Sequence, residues 1–271
     1  MSMEYYLITN AGTLLHNEYA QAYPSHLVLA QMLLDNSLFA AKISAMIEGG
    51  TKVILDNGAH EGVVVQLNTY GRLAKNLKPW CVVLPDVVGM PAKKNRDRCL
   101  TFAERLLNSS EFAGSDVQLM YAVQGTTAAE SLDAYDWAAD NLDPDRYIIG
   151  IGQSYLLWLQ DMPDVKGHEQ ARTIEVTDIM MNENAGKFWY HVLGARWEST
   201  AAYSKYPNII GIDTIKPCHC ALNHTVYPHK PPNTDPAYKS TKVATSDLLH
   251  INIMYFCQEY GASSGTAFTT P

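Results

Sequence analysis

Three aspartates in this sequence follow apolar runs and stand where buried strands would end. Asp56 closes the run Val-Ile-Leu-Asp, Asp213 closes Ile-Ile-Gly-Ile-Asp, and Asp86 follows a proline after a third apolar run. An aspartate in such a place is commonly a helix cap or a turn residue. A carboxylate at the rim of an apolar wall is also costly to leave unpaired and is often catalytic. Two of them in one pocket can divide the work, since one attacks or stabilises a cation while the other transfers protons.

Other polar or glycine-rich residues follow further apolar runs. Gln124 precedes a glycine, Gly150 lies in Gly-Ile-Gly, and Asn10 ends the first run, where asparagine also favours a turn. A β/α barrel collects the C-terminal ends of its strands at one face, so residues far apart in sequence meet in one pocket. The aspartates and Gln124 together therefore indicate a site that reads a polar base and does chemistry beside it.

Apolar runs alternate with stretches of helical periodicity, which is typical of βαβ units. The candidate strands are Tyr5–Asn10, Val53–Asp56, Trp80–Leu84, Gln118–Val123, Tyr147–Ile151, Phe188–Leu193 and Ile209–Ile212. The segment 26–47 is long and apolar and is predicted to form one helix or two. An eighth strand is therefore hidden, degenerate or missing. We expect an α/β fold, a (β/α)8 TIM barrel, as a single domain over residues 1–271.

The composition is typical of a globular chain with a sizeable core. Of the 271 residues, 47% are hydrophobic and 18% are charged. The formal net charge of −8 argues against broad, non-specific binding to nucleic acid, although it permits a local basic patch. Five cysteines, an odd number, do not suggest a disulfide framework. We identify neither a membrane-spanning apolar stretch nor a signal segment, so a cytoplasmic protein with no membrane partner is expected.

Five segments, in order along the chain, resemble the motifs of the tRNA-guanine transglycosylase (queuine tRNA-ribosyltransferase) superfamily. Asp56 lies in Asp-Asn-Gly-Ala, which resembles the family's Asp-Ser-Gly-Gly, and Asp86 falls where the family places a base-reading aspartate. Gln124 lies in Val-Gln-Gly, and Gly150 lies in Ile-Gly-Ile-Gly, which resembles the family's Ile-Gly-Gly. Asp213 lies in Asp-Thr-Ile-Lys-Pro, which is similar to the nucleophile segment Asp-Cys-Val-Leu-Pro.

The resemblance implies base exchange. Asp213 would attack the anomeric carbon of a guanosine nucleotide and form a covalent glycosyl intermediate. Asp56 would be the general acid and base that protonates the departing guanine and deprotonates the incoming 7-deazaguanine. Asp86 would accept hydrogen bonds from the base's N–H groups, while Gln124 and the backbone near Gly150 would bind its carbonyl oxygen. Asn10 is a further candidate contact to the base.

The resemblance also implies a structural zinc site. The family carries Cys-x-Cys-x2-Cys followed by a histidine in the last helix. Here Cys218 and Cys220 match the first two cysteines, His224 could replace the third, and His250 would be the distant histidine. Two cysteines and two histidines are an ordinary ligand set for zinc. The alternative is a loop of reduced cysteines with scattered histidines.

The substrate implied by the resemblance is DNA, with tRNA as the alternative. The chain is shorter than the tRNA enzymes and in this resembles the transglycosylase-like proteins of phages and bacterial DNA-modification clusters that insert 7-deazaguanines into DNA. If a phage encodes the protein, the host cytoplasm is its expected location. The target nucleotide has to leave the base stack. Family members often dimerise, so a homodimer is a further expectation.

Phosphate contacts are predicted from basic residues that follow two of the candidate strands. The residues are Lys93, Lys94, Arg96 and Lys216. A solvated helix face explains the first three equally well.

Two other classes of function fit the same residues. A barrel hydrolase such as a nucleosidase would use Asp56 and Asp213 with water as the acceptor. A non-catalytic barrel could bind modified bases or act as a partner subunit, although a pure binder has little use for a nucleophile.

Overall fold

The last strand of the sheet pairs with the first, so that a computed structural model of the protein shows eight parallel strands closed into a barrel. The structure describes residues 3–59, 61–62, 65–152, 186–194, 203, 206–214, 216–222, 243–244 and 246–260. The strands are β1 (Glu4–Leu7), β2 (Ser25–Leu29), β3 (Lys52–Asp56), β4 (Cys81–Val83), β5 (Gln118–Val123), β6 (Tyr147–Gly152), β7 (Trp189–Leu193) and β8 (Ile209–Thr214). The expected (β/α)8 barrel is therefore confirmed.

Helices connect the strands and cover the outside of the sheet. The described helices are α1 (Ala11–His16), α2 (Glu18–Ala22), α3 (Ala30–Asp35), α4 (Ser37–Glu48), α5 (Leu67–Leu77), α6 (Ala92–Leu107), α7 (Ala128–Asn141), α8 (Lys216–Leu222) and α9 (Ser246–Tyr260). In the parts of the chain that the structure describes, no helix combines the length and the apolar character needed to cross a membrane.

The eighth strand, which sequence analysis did not find, is β2. The prediction that helix begins at His26 is wrong, because Ser25–Leu29 pairs over its full length with Lys52–Asp56 of β3. All five residues of β2 are buried, so the strand shows no alternation of polar and apolar residues. A short, wholly buried run of this kind reads equally well as helix or strand. The helical periodicity after it belongs to α3 and α4.

Two apolar layers result from the alternation of side chains along the strands. Tyr5 and Leu55 face the helices, whereas Tyr6 and Ile54 face the barrel interior. Because successive side chains point to opposite faces, Asp56 has the same phase as Ile54 and projects into the mouth of the barrel. The same alternation places Gln124 and Asp213 in the interior phase of β5 and β8.

Side chains plug the opposite, N-terminal end of the barrel. Lys52 Nζ lies 2.7 Å from Glu4 Oε1, and Tyr6 donates to Glu4 Oε2 at 3.1 Å. The Tyr6 ring stacks on Trp80 with a centroid distance of 5.9 Å, and Lys52 Nζ lies 5.5 Å from the Trp80 ring centroid. These contacts fill the N-terminal end, which leaves the C-terminal ends of the strands to form the mouth.

Gly211 on β8 leaves room for two aromatic rings in the barrel interior, beneath this mouth. A Cβ atom at this position would lie 2.6 Å from His191 Nδ1 and 2.7 Å from Tyr6 Cε2. The Tyr6 and His191 rings meet edge to face there, with centroids 5.2 Å apart. A side chain on β8 at this level would therefore displace both rings.

Replacing Gly211 with alanine is expected to lower the free energy of unfolding by about 1–3 kcal/mol, because the added methyl overpacks the interior. Urea unfolding of purified protein measures this. Gly71→Ala is the matched control, since a Cβ there meets only Phe102 Cε2 at 3.5 Å inside α5. It should be neutral or stabilising by up to about 1 kcal/mol. Equal effects of the two substitutions would contradict the packing described around Gly211.

Candidate active site

Asp86 is held by amide groups from both neighbouring strand ends. The two hydrogens of Asn57 Nδ2 go to Asp86 Oδ1 at 2.6 Å and to the Leu84 carbonyl oxygen at 3.0 Å. Gln124 Nε2 donates to Asp86 Oδ2. Asp86 is only 7% exposed. Both of its carboxylate oxygens therefore have a partner, and the group is fixed at the barrel mouth.

The loop that carries Asp86 is held by α6. Asn95 Oδ1 accepts from the Val87 backbone N–H at 2.9 Å, and Arg98 Nε donates to the Pro85 carbonyl oxygen at 2.8 Å. Burial raises the pKa of Asp86 to about 6, and the donors together with the Arg98 charge oppose that rise. Asp86 is consequently ionised at neutral pH but close to its titration range.

Gln124 is positioned by the tight junction between β5 and α7. A Cβ atom on Gly125 would lie 2.6 Å from Glu130 Cβ, so only glycine permits this approach. Thr127 caps α7 by accepting from the Glu130 N–H at 3.1 Å. Gln124 is 7% exposed, and its Oε1 has no hydrogen-bond partner among the described residues. The side chain thus has a buried acceptor that the described residues do not use.

Asp213 is buried against β7. Its Oδ1 lies 2.8 Å from His191 Nε2, and its Oδ2 accepts from the Gly194 N–H at 3.0 Å. Asp213 is 3% exposed and His191 is 1% exposed. No functional role for His191 is predicted from the sequence. The available signal was a polar ring in an otherwise apolar strand, but pairing with a residue 22 positions away becomes visible only in the barrel.

Asp56 accepts fewer hydrogen bonds than Asp86 or Asp213 among the described contacts. Its Oδ1 accepts from the Gly58 N–H at 2.9 Å. Burial raises the pKa of Asp56 well above its usual range, and the charges of Glu61, Asp86 and Asp213 raise it further. These carboxylates therefore lie close enough to Asp56 at the barrel mouth for their charges to act on it. Glu61 lies in the loop before α5, and its charge raises the pKa of Asp56 more than the charge of Asp86 or Asp213 does.

Gly150 and Asn10 occupy different parts of this region. A Cβ atom on Gly150 would lie 3.1 Å from Leu193 Cδ1 and 3.1 Å from Met120 Sδ, so the missing side chain keeps the floor beneath the mouth close-packed. Asn10 Oδ1 accepts from the Thr13 N–H at 2.6 Å and caps α1. The base contacts predicted for both residues stay predictions.

The cysteines of the zinc prediction lie on α8. Cys218 and Cys220 are both buried. Residues two apart on a regular α-helix point to different faces, so the helical geometry does not favour binding of one metal ion by both thiols. The His250 ring stacks on Tyr19 with centroids 4.7 Å apart, and His224 lies outside the described residues. Within the described ranges no group of three or more His, Cys, Asp or Glu could hold a metal ion. The zinc site stays a prediction, which metal analysis of purified protein tests.

The predicted phosphate contacts lie at the start of α6, directly after the Asp86 loop. Lys93 and Lys94 are exposed; Lys93 Nζ pairs with Asp97 at 2.8 Å, and the Arg96 guanidinium lies 4.6 Å from the Trp137 ring centroid. The first turn of α6 contains no acidic residue. Cations oppose the helix dipole there, so folding alone does not favour them. Lys216 is the first residue of α8, and the structure does not describe its side chain.

Comparisons with protein-family models and with curated proteins gave no match for this chain. The site has therefore to be interpreted from its own residues.

Replacing Asp86 with asparagine is expected to stabilise the folded protein at pH 8 and to have a much smaller effect near pH 4. The pKa of Asp86 rises on folding from 3.8 to about 6. Well above pH 6 the folded state therefore carries a penalty on the order of 3 kcal/mol; at pH 4 folded Asp86 is protonated and the unfolded chain partly so, and most of the penalty is lost. Urea unfolding at both pH values measures the difference.

Asp97→Asn is the matched control for this substitution. Asp97 is exposed, and its hydrogen bond with Lys93 lowers its pKa, so its removal should give a small effect of the opposite sign at pH 8. A loss of stability for Asp86→Asn that is the same at pH 4 and pH 8 would show that burial does not govern the Asp86 carboxyl.

Proposed function

We propose that the protein exchanges guanine in a nucleic acid, with DNA as the leading substrate, for a 7-deazaguanine through a covalent aspartyl-glycosyl intermediate. The observation that carries this proposal is that three carboxylates at the same end of the barrel have three different environments. Asp86 is fixed by two amides, Asp213 by a histidine and a backbone N–H, and Asp56 by one backbone N–H with a raised pKa. Environments that differ in this way suit one carboxylate that binds the base, one that acts as nucleophile and one that acts as general acid and base.

The Asp86–Gln124 pair suits the edge of guanine. Guanine presents ring and exocyclic N–H donors beside a carbonyl acceptor. Each Asp86 oxygen already accepts one hydrogen bond and keeps a further lone pair for a base N–H. The second hydrogen of Gln124 Nε2 suits the base carbonyl, and its unpartnered Oε1 can accept from another donor of the ligand.

The proposed reaction proceeds in two displacements. A carboxylate oxygen of Asp213 forms a bond to the anomeric carbon, while the bond from that carbon to guanine breaks and its electron pair goes to the guanine nitrogen. Asp56, which retains its proton more readily than an ordinary aspartate, protonates that nitrogen. Asp56 then removes a proton from the incoming base, which attacks the same carbon and releases Asp213 as a carboxylate.

The basic start of α6 suits a polyanionic substrate at this mouth. It follows the Asp86 loop, and Arg98 connects the two through its bond to the Pro85 carbonyl oxygen. Phosphates flanking an extruded nucleotide could be neutralised there while the base enters the pocket. The rest of the chain is acidic, with a net charge of −8, so we expect contact to be confined to this patch.

Radiolabelled guanine, offered with DNA and with tRNA, tests the proposal. Wild-type protein is expected to incorporate label into DNA, while Asp213→Asn loses at least about a thousandfold in rate because the nucleophile is gone. Asp56→Asn should also be strongly impaired, since it cannot transfer the proton. Asp140→Asn, an exposed change of the same type on α7, should incorporate label normally.

Each other outcome of this assay has a defined meaning. Incorporation into tRNA alone would replace the substrate and keep the mechanism. Release of guanine without incorporation would indicate hydrolysis. Normal exchange by Asp213→Asn, or no reaction of the wild-type protein with either nucleic acid, would contradict the proposal.

A further inference from the structure

His191 is the only residue among the described contacts that pairs through its side chain with the proposed nucleophile. Its Nε2 lies 2.8 Å from Asp213 Oδ1, and both side chains are almost completely buried. With Asp213 as a carboxylate, which only accepts hydrogen bonds, this contact requires the tautomer that carries a proton on His191 Nε2. Hydrogen bonds to a charged partner in a poorly solvated place are among the strongest in proteins.

The surroundings fix the His191 ring in this orientation. Gly211, opposite it on β8, leaves the space that the ring occupies, since a Cβ there would meet His191 Nδ1 at 2.6 Å. The Tyr6 ring supports it edge to face, and Tyr6 is itself held by Glu4 and Trp80. The ring is thus preorganised by packing and does not depend on a substrate for its position.

We propose that His191 is a positioning residue that favours the departure of Asp213 in the second displacement, an inference that rests on the function proposed above. When the glycosyl ester forms, Asp213 loses its negative charge and the hydrogen bond from His191 weakens. When the incoming base attacks the anomeric carbon, the ester C–O bond breaks and its electron pair returns to Asp213. The His191 N–H then stabilises the charge that develops, so this step gains most from the contact.

The rate at which the intermediate is discharged tests this directly. A labelled oligonucleotide is incubated with protein alone to form the covalent adduct, guanine is added, and loss of the adduct is followed on denaturing gels. His191→Met lacks the donor and is expected to slow discharge about tenfold or more, with a smaller effect on adduct formation. His191→Gln, whose amide nitrogen can replace Nε2–H, is expected to restore most of the rate.

Tyr190→Phe is the matched control for damage to β7. It removes the buried contact of the Tyr190 hydroxyl with the Tyr135 hydroxyl at 3.1 Å, on the face of β7 opposite to Asp213. Its discharge rate should equal that of the wild type. The inference is overturned if His191→Met discharges normally, or if it slows formation and discharge to the same extent.

A measurement that needs no substrate separates failure of this inference from failure of the proposed function. Nitrogen-15 NMR of the histidine side chains is expected to show His191 protonated at Nε2 in the wild type. An unprotonated Nε2 would overturn the inference even if exchange occurs. If the proton is on Nε2 but wild-type protein forms no adduct and exchanges no base, the proposed function fails, and with it the role of His191 in discharge.

Discussion

The burial of carboxylates at the mouth of the barrel is the constraint on which the rest of the structure depends. A charged group removed from water is tolerated only with hydrogen-bond donors around it. Asp86 has Asn57 and Gln124, and Asp213 has His191 and the Gly194 N–H. Among the described contacts Asp56 has one donor, the Gly58 N–H, and burial raises its pKa well above the usual range.

The strand ends and two glycines hold these carboxylates and their partners in position. Gly211 leaves room for His191, and Gly125 allows α7 to begin close enough to fix Gln124. The Tyr70 hydroxyl of α5 lies 2.9 Å from the Leu55 carbonyl oxygen and 2.7 Å from the Val83 carbonyl oxygen, and its one hydrogen is shared between them. That contact joins β3 to β4 near the ends from which Asp56 and Asp86 project. Rigid strand ends, and not the loops alone, therefore set the spacing of the acids.

The sequence was sufficient to predict the barrel and the convergence of Asp56, Asp86, Gln124 and Asp213. Apolar runs that end in polar residues are a local pattern, and parallel strands bring such ends to one face. It was not sufficient for β2, because a wholly buried run lacks the alternation that identifies a strand. Nor did it single out His191, whose partner is defined by the register of β7 against β8.

The central claim, that the barrel mouth binds a guanine-like base through Asp86, is tested most directly by calorimetric titration of guanine into the protein. The account predicts that wild type and Asp213→Asn bind guanine with similar affinity, because the nucleophile does not read the base. It predicts that Asp86→Asn binds at least about tenfold more weakly, since an amide cannot accept from two base N–H groups as a carboxylate does. Absence of binding to the wild type, or equal binding to Asp86→Asn, would contradict it.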